Sequence, residues 1–406
     1  MNQHNNPKIR FKGYDNSLEK KTIGDITTSF SGGTPKSSNK TYYEGNIPFI
    51  RSGEIKSKQT ELFISDEALK NSSAKMVEKG DILYALYGAT SGEVAISQIN
   101  GAINQAILAI KPNSGYSSEF IMNYLKKEKD NILEKYLQGG QGNLSAAIVK
   151  SIELHLPSQK EQSAIASLFR TLDDLLASYK DNLANYQSLK ATMLAKMFPK
   201  AGQTVPEIRL DGFEGEWEKV KLKDVTESIE YGLNASAKEF DGENKYIRIT
   251  DIDDVSRKFK EDSITSPDIN VSECDNYLLC EKDILFARTG ASVGKTYHYD
   301  IKDGKVYFAG FLIRARIKEK FDSKFIFQNT LTDRFTQYVK VTSQRSGQPG
   351  VNGKEYGEYE LYLPKYEEQQ AIGTYFSNLD NLINSYQEKI SQLETLKKKL
   401  LQDMFI

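Results

Sequence analysis

Three sets of glycine-bearing segments carry the side chains best suited to touching a polyanion. The first is Ser31-Gly32-Gly33-Thr34-Pro35-Lys36. The second is the pair Tyr87–Gly92 and Arg288–Lys295, and the third is the pair Gln138–Asn143 and Gln344–Pro349. Glycine admits close backbone approach, and hydroxyls, lysines and free N–H groups suit phosphate oxygens. Gln, Asn and Arg match the donor and acceptor patterns of adenine and guanine edges. The candidate contacts are Thr34, Lys36, Arg51, Thr90, Gln138 and Gln141 in the first half, and Lys238, Arg248, Arg288, Lys295, Gln344 and Arg345 in the second. Each loop alone is also an ordinary tight turn, and Arg51 and Arg248, at the ends of strand-like runs, are equally placed for an internal ion pair. Recurrence at equivalent places in both halves favours a shared role.

Other chemistries find little support. Gly290–Thr296, GASVGKT, lacks the four-residue gap of G-x-x-x-x-G-K-[ST], and Glu93 stands where the second half has Lys295. No Asn-Pro-Pro-aromatic or Asp-Pro-Pro-aromatic motif occurs, and His4, His155 and His298 have no triad-like neighbours. Cys274 and Cys280, without a second pair, do not make a zinc site and are expected to be reduced and buried. No metal, no cofactor and no catalytic residue is therefore expected in this chain.

The elements that position the loops are repeated. PKIRFKGY at 7–14 matches PEIRLDGF at 206–213 with an offset of 199, which also pairs Gly33 with Gly232. Phe49-Ile50-Arg51 matches Tyr246-Ile247-Arg248, GDILYALYGATSGE matches KDILFARTGASVGK, and LPSQKEQSAI matches LPKYEEQQAI. A unit of about 200 residues is too long for a solenoid repeat and indicates domain duplication. Strands are expected at Asp81–Leu86, Ala106–Ile110, Asp283–Arg288 and Phe311–Arg316, and helices at Phe120–Leu137 and Lys324–Val341.

Two segments free of internal Pro and Gly, or nearly so, carry apolar residues at spacings of 3 and 4, the second copy lying 207 after the first. Pro157 and Pro364 precede them and Pro199 follows the first. Each could extend to about 39 residues, roughly 58 Å of helix. The expected seam comprises Ile165, Leu172, Leu176, Tyr179 and Leu183 against Ile372, Leu379, Ile383, Tyr386 and Ile390, with Leu189 and Leu396 on the same stripes. The fold expected is α+β: two mixed α/β lobes joined by two long antiparallel coiled-coil helices, related by a pseudo-two-fold internal repeat. The expected domains are residues 1–159, a helix at 160–199, residues 200–366 and a helix at 367–406. The stiff pair would hold two readers a constant distance apart, and the chain's two ends should lie close together.

The composition, 39% hydrophobic and 27% charged, is that of a globular protein. No apolar run is long enough to span a membrane and the polar N-terminus lacks a signal-peptide pattern, so a cytoplasmic location is expected. The net charge of −1 argues against a free-standing, charge-driven binder and suggests partners that neutralise phosphates.

With this plan in view the sequence resembles the specificity subunit of type I restriction–modification enzymes. The resemblance rests on GGTP at 32–35, IPFIRSGEI at 47–55, the GDILYALYGATSGE pair and the two LP-led segments that open the helices, in a duplicated order spanning nearly the whole chain. It implies a DNA-binding, non-catalytic subunit with two target recognition domains, each reading half of a bipartite asymmetric site in double-stranded DNA. It also implies two methylation subunits and two restriction subunits as partners, with S-adenosylmethionine and ATP/Mg held by those partners. A related fused or type IIB-like restriction–modification system, a stand-alone enzyme and a scaffold that does not touch DNA are the alternatives. Tyr231-Gly232-Leu233-Asn234-Ala235 replaces GGTP in the second half, so the two lobes are expected to read different sequences.

Overall fold

The computed structural model describes residues 7–137, 143–344 and 349–406. The chain is an α+β protein that divides into two compact units, Met1–Ser178 with Ile390–Ile406, and Tyr179–Lys389. Each unit thus holds one lobe together with portions of both long helices. No described helix is long and apolar enough to cross a membrane.

In the first lobe a four-stranded sheet runs in the order Thr27–Ser31, Ile107–Pro112, Ile82–Ala85, Val94–Ile96. A second sheet is built from Leu62–Ile64, Ile47–Ile50, Gly101–Ile103 and Lys75–Val77. The strand Ile82–Ala85 is buried on both faces: Ile82 and Tyr84 point into the helical core, while Leu83 and Ala85 join the core shared with the second sheet. The period of two does this, since successive Cβ atoms leave opposite faces. In the second lobe, Ile284 and Phe286 face one core and Leu285 and Ala287 the other, in a sheet of the same order: Thr226–Tyr231, Leu312–Ile317, Asp283–Ala287, Thr296–His298.

Three expectations are corrected. The helices expected at Phe120–Leu137 and Lys324–Val341 are each broken, into Ser118–Lys127 and Lys129–Leu137, and into Ser323–Asn329 and Asp333–Ser343. The second break falls at Thr330-Leu331-Thr332, where the Thr332 side chain caps the next helix by accepting from the Phe335 N–H, an alternative to continuing the turn. Cys280 is exposed, although Cys274 is buried. Finally, the lobes align Gly232 with Gly32 rather than Gly33. Ser31 pairs with Leu108 and Tyr231 with the equivalent Ile313, because a bulge between Thr226 and Ser228 adds one residue to the second copy.

The long helices are Gln159–Lys196 and Tyr366–Asp403, 38 residues each. Within the first unit Phe169 packs on Phe405, ring centroids 5.9 Å apart, and Lys397 pairs with Asp173. Within the second, Tyr179 and Tyr186 pack on Tyr386 at 5.6 and 5.5 Å, Lys190 pairs with Asp380 at 2.6 Å, and Phe198 stacks on Phe376 at 6.1 Å. In each unit, advancing along one helix means retreating along the other, so the helix segments are antiparallel. The ion pairs are counterparts: 207 residues separate Asp173 from Asp380 and Lys190 from Lys397. Along the expected seam, Leu172, Leu176, Leu379, Ile383 and Ile390 are buried, Tyr179, Leu183 and Tyr386 are half-buried, and Ile165 and Ile372 belong to the lobe cores. Leu189 and Leu396 lie exposed instead, because 3.6 residues per turn carries a stripe gradually off a straight seam.

The LP-led segments are structural. Glu161, buried in the first turn of its helix, accepts two hydrogen bonds from Arg10, from Nε at 2.7 Å and Nη2 at 2.8 Å. Glu368 accepts the same two from Arg209, at 2.8 and 2.7 Å. The neighbouring glutamines act alike. Gln162 Nε2 donates to the Pro157 carbonyl at 3.0 Å and its Oε1 accepts from the Ser117 N–H at 3.1 Å. Gln369 does so with Pro364 at 2.9 Å and Asp322 at 3.1 Å. The N-terminal segment also docks on the last helix, with the Ile9 N–H donating to the Asp403 carbonyl at 3.0 Å, as Ile208 donates to Lys196 at 2.9 Å.

Candidate nucleic-acid interface

The central sheet of each lobe brings the loop sets together at one end. In the first lobe the strand ending at Ser31, the strand ending at Ala85 and the turn before Ile107 all meet there, because Ser31 lies opposite Leu108 and Ala85 opposite Ile107. The Leu86 N–H donates to the Ala106 carbonyl at 2.8 Å, and its carbonyl accepts from Leu144 at 2.8 Å. A bridge between Tyr87 and Asn143 draws in the end of the third loop set. The second lobe repeats the frame. The Arg288 N–H donates to Phe311 at 3.1 Å, its carbonyl accepts from Val351 at 2.9 Å, and Thr289 bridges Gly350. Close approach explains the glycines at the strand ends: a Cβ on Gly32 would lie 1.9 Å from the Ile103 oxygen, and one on Gly232 2.2 Å from the Ala309 oxygen.

On this frame the candidate side chains separate. Thr34 is exposed and hydrogen-bonds Gln105 across the cluster; Lys36 beside it is exposed, with no ion pair among the described residues. Thr90 is half-buried in the turn of the second loop. Gln344 is exposed at the C-cap of the helix Asp333–Ser343, next to the third loop. Lys238 is exposed on the strand Ala237–Glu239, which belongs to a separate two-stranded ribbon. Gln138, Gln141 and Arg345 lie outside the described residues.

Arg51 and Arg248 take the ion-pair arrangement. Each forks onto the carboxylate three residues ahead, Arg51 on Glu54 at 3.1 and 3.0 Å and Arg248 on Asp251 at 2.8 and 2.9 Å, and the same carboxylate accepts each arginine's own N–H. Arg51 also reaches Glu61 at 2.5 Å. Burial alone would raise the Glu54 carboxyl, but the hydrogen bonds from the Arg51 side chain and from the Glu61 and Arg51 N–H groups outweigh it and hold the group at about 2. Lys295 is buried, paired with Asp254 and donating to the Ile252 carbonyl at 3.2 Å, so its ammonium is already engaged within the lobe.

Arg288 differs. Its guanidinium lies over the rings of Tyr231 and Phe311, 5.1 and 5.8 Å from their centroids, and both aromatics are exposed. It has no carboxylate partner among the described residues, and its buried Nε has no hydrogen-bond acceptor. Sequence reasoning flagged Arg288 but not the rings that hold it, since Phe311 lies 23 residues away and only strand pairing brings it close. It also missed the clamps made by Arg10 and Arg209, although both arginines sit inside matched segments.

The class defined by this fold and these loop clusters is a duplicated recognition subunit, with one backbone frame used twice and different side chains on each copy. The chain belongs to the family of type I restriction modification DNA specificity domains, whose model matches it twice, over residues 16–185 and 214–395. It is 23% identical over 392 residues to the type I restriction enzyme MjaVIII specificity subunit of Methanocaldococcus jannaschii, covering 93% of this chain and 90% of the relative. It is 21% identical over 422 residues to the EcoKI specificity subunit of Escherichia coli, covering 94% and 87%. Its fold is that of the type I restriction–modification S subunit from M. genitalium, with a TM-score of 0.66 over 99% of both chains at 16% identity. The chain is thus a non-catalytic, DNA-recognising specificity subunit of a type I restriction–modification system.

Proposed function

We propose that each lobe reads one half of a bipartite, asymmetric site in double-stranded DNA, and that the chain docks two methylation and two restriction subunits. Those partners would hold S-adenosylmethionine and ATP/Mg, and the complex would act in the cytoplasm. One observation carries the two-reader proposal: the loop clusters share their backbone hydrogen bonds but not their side chains. Leu86, Ala106 and Ser31 occupy the places of Arg288, Phe311 and Tyr231. Two readers with equal frames and unequal side chains call for two unequal half-sites.

The helices support docking in duplicate. In the first unit Leu175 and Leu396 are exposed on the helix segments that carry the Asp173–Lys397 pair. In the second, Leu382 and Leu189 are exposed on the helix segments that carry the Asp380–Lys190 pair. Each leucine has its counterpart 207 residues away. Exposed apolar side chains repeated at equivalent positions suit two copies of one partner.

Sequencing methylated bases after co-expression with the methylation subunit tests the recognition. A gapped, asymmetric motif is expected; a contiguous or palindromic one overturns the two-reader proposal. The double variant Leu175→Glu, Leu382→Glu is expected to abolish co-elution with the methylation subunit at an unchanged melting temperature. Intact co-elution would remove the leucines from the docking surface.

A further inference from the structure

We infer that Arg288 is a specificity-determining residue that reads one guanine in the half-site of the second lobe, with Tyr231 and Phe311 setting the plane of its guanidinium. The inference rests on the two-reader proposal and goes beyond it by naming a residue, a base and a positioning device.

Four observations converge. Arg288 stands at the end of the strand Asp283–Ala287, where the loop sets of its lobe meet. Its charge is not spent inside the protein: Arg51 and Arg248 fork onto carboxylates, Lys295 is buried on Asp254, and Arg288 has no such partner among the described residues. Its guanidinium is held over two rings rather than loose, 5.1 Å from the Tyr231 centroid and 5.8 Å from that of Phe311. The Tyr231 ring is itself anchored, its hydroxyl accepting from the Gly353 N–H at 3.1 Å. Finally, the first lobe keeps the frame but places buried Leu86 and Ala106 at the equivalent positions, so the arginine and its rings are not needed to build the fold.

Cation–π contact with two rings narrows the orientations open to a guanidinium and leaves its outer N–H fork free to donate. A fork held in that way matches the N7 and O6 acceptors of guanine in the major groove, the commonest specific contact arginine makes. A phosphate contact demands no such fixed plane, and an exposed lysine would serve it equally well. The exposed Phe311 ring adds apolar surface against a neighbouring base pair or methyl group. Arg288 is therefore assigned to direct base readout rather than to positioning on the backbone.

The test uses the complex of the full chain with its methylation subunit. Competition binding is measured against duplexes carrying every single base-pair change in both half-sites, at two salt concentrations. For Arg288→Ala, discrimination at one G·C pair in one half-site should fall about 10–100-fold, the size of a lost bidentate contact, with the other half-site unaffected. Arg288→Lys keeps the charge and the stem but not the fork, and should lose discrimination at the same pair; Phe311→Ala should weaken it there in part. Uniform weakening of all duplexes with a shallower salt dependence would make Arg288 a phosphate contact and overturn the inference. So would unchanged discrimination, relaxation at an A·T pair, or full recovery with lysine. A parent complex that binds a contiguous site through one lobe sinks the two-reader proposal instead, and is recognised before any variant is made.

Discussion

Removing Glu161 or Glu368 should cost different amounts, although the two clamps look alike. Each carboxylate is almost fully buried, 2% and 1% exposed, and each receives a forked pair of hydrogen bonds at 2.7–2.8 Å. Breaking a buried ion pair by deleting one partner typically costs about 3–5 kcal/mol, because the other charge stays buried and unpaired. In Glu161→Ala the stranded group is Arg10, whose side chain is 16% exposed and can turn toward water, which lowers the cost to about 2–3 kcal/mol. In Glu368→Ala the stranded Arg209 keeps the carbonyls of Gly215 at 2.6 Å and Glu214 at 2.9 Å, so the loss should be about 1–2 kcal/mol. The reverse deletion, Arg209→Ala, orphans a carboxylate that is only 1% exposed, and should be the most damaging, at about 3–5 kcal/mol. For a unit of some 200 residues these losses correspond to about 2–4 °C of melting temperature per kcal/mol. Differential scanning calorimetry of the three variants, with the Arg10/Glu161 double-mutant cycle, measures the order. Equal losses for the two glutamates, or an Arg10/Glu161 cycle that is additive within about 0.5 kcal/mol, would refute the assignment of these groups as clamps.

Other outcomes follow from the same geometry. His298, hydrogen-bonded to Ser323 at 2.9 Å, is pushed down to about 4 by burial and, secondarily, by Lys324. With the folded value below the ordinary one near 6.5, the unfolded chain binds the proton first. The stabilisation is complete above about pH 6.5 and drains away as pH falls through 4, by about 3 kcal/mol in all. Urea unfolding at pH 7 and 4.5 should show that this share of the acid sensitivity disappears in His298→Asn; identical pH slopes would contradict it. Gly32→Ala and Gly232→Ala should each cost more than about 2 kcal/mol and displace the first loop, since the added Cβ meets backbone oxygen rather than a movable side chain; unaltered melting and binding would argue against the close approach. A chain opened near Lys200 with its original ends joined should fold and keep its specificity, because the segment around Ile9 already hydrogen-bonds Asp403 as Ile208 bonds Lys196. Loss of the native circular-dichroism melt in that permutant would count against the equivalence of the two linkers.

The sequence by itself determined the architecture. Duplication is a pattern of residue identity, and the 207-residue repeat of apolar positions, the strand cores at Ile82–Ala85 and Asp283–Ala287 and the proline-bounded long helices are all consequences of local periodicity. What it left open were relations between distant residues. A one-residue bulge moved the partner of Gly232 from Gly33 to Gly32, and only the ladder of hydrogen bonds reveals it. Arg51, Arg248, Arg288 and Lys295 are equivalent as letters, cations in or beside loops. The fold gave the first two a carboxylate three residues on, buried the fourth on Asp254, and placed two aromatic rings against the third. Periodicity reports which face of an element is buried, whereas the partner of a charge depends on which strand ends meet, and that is settled by tertiary packing.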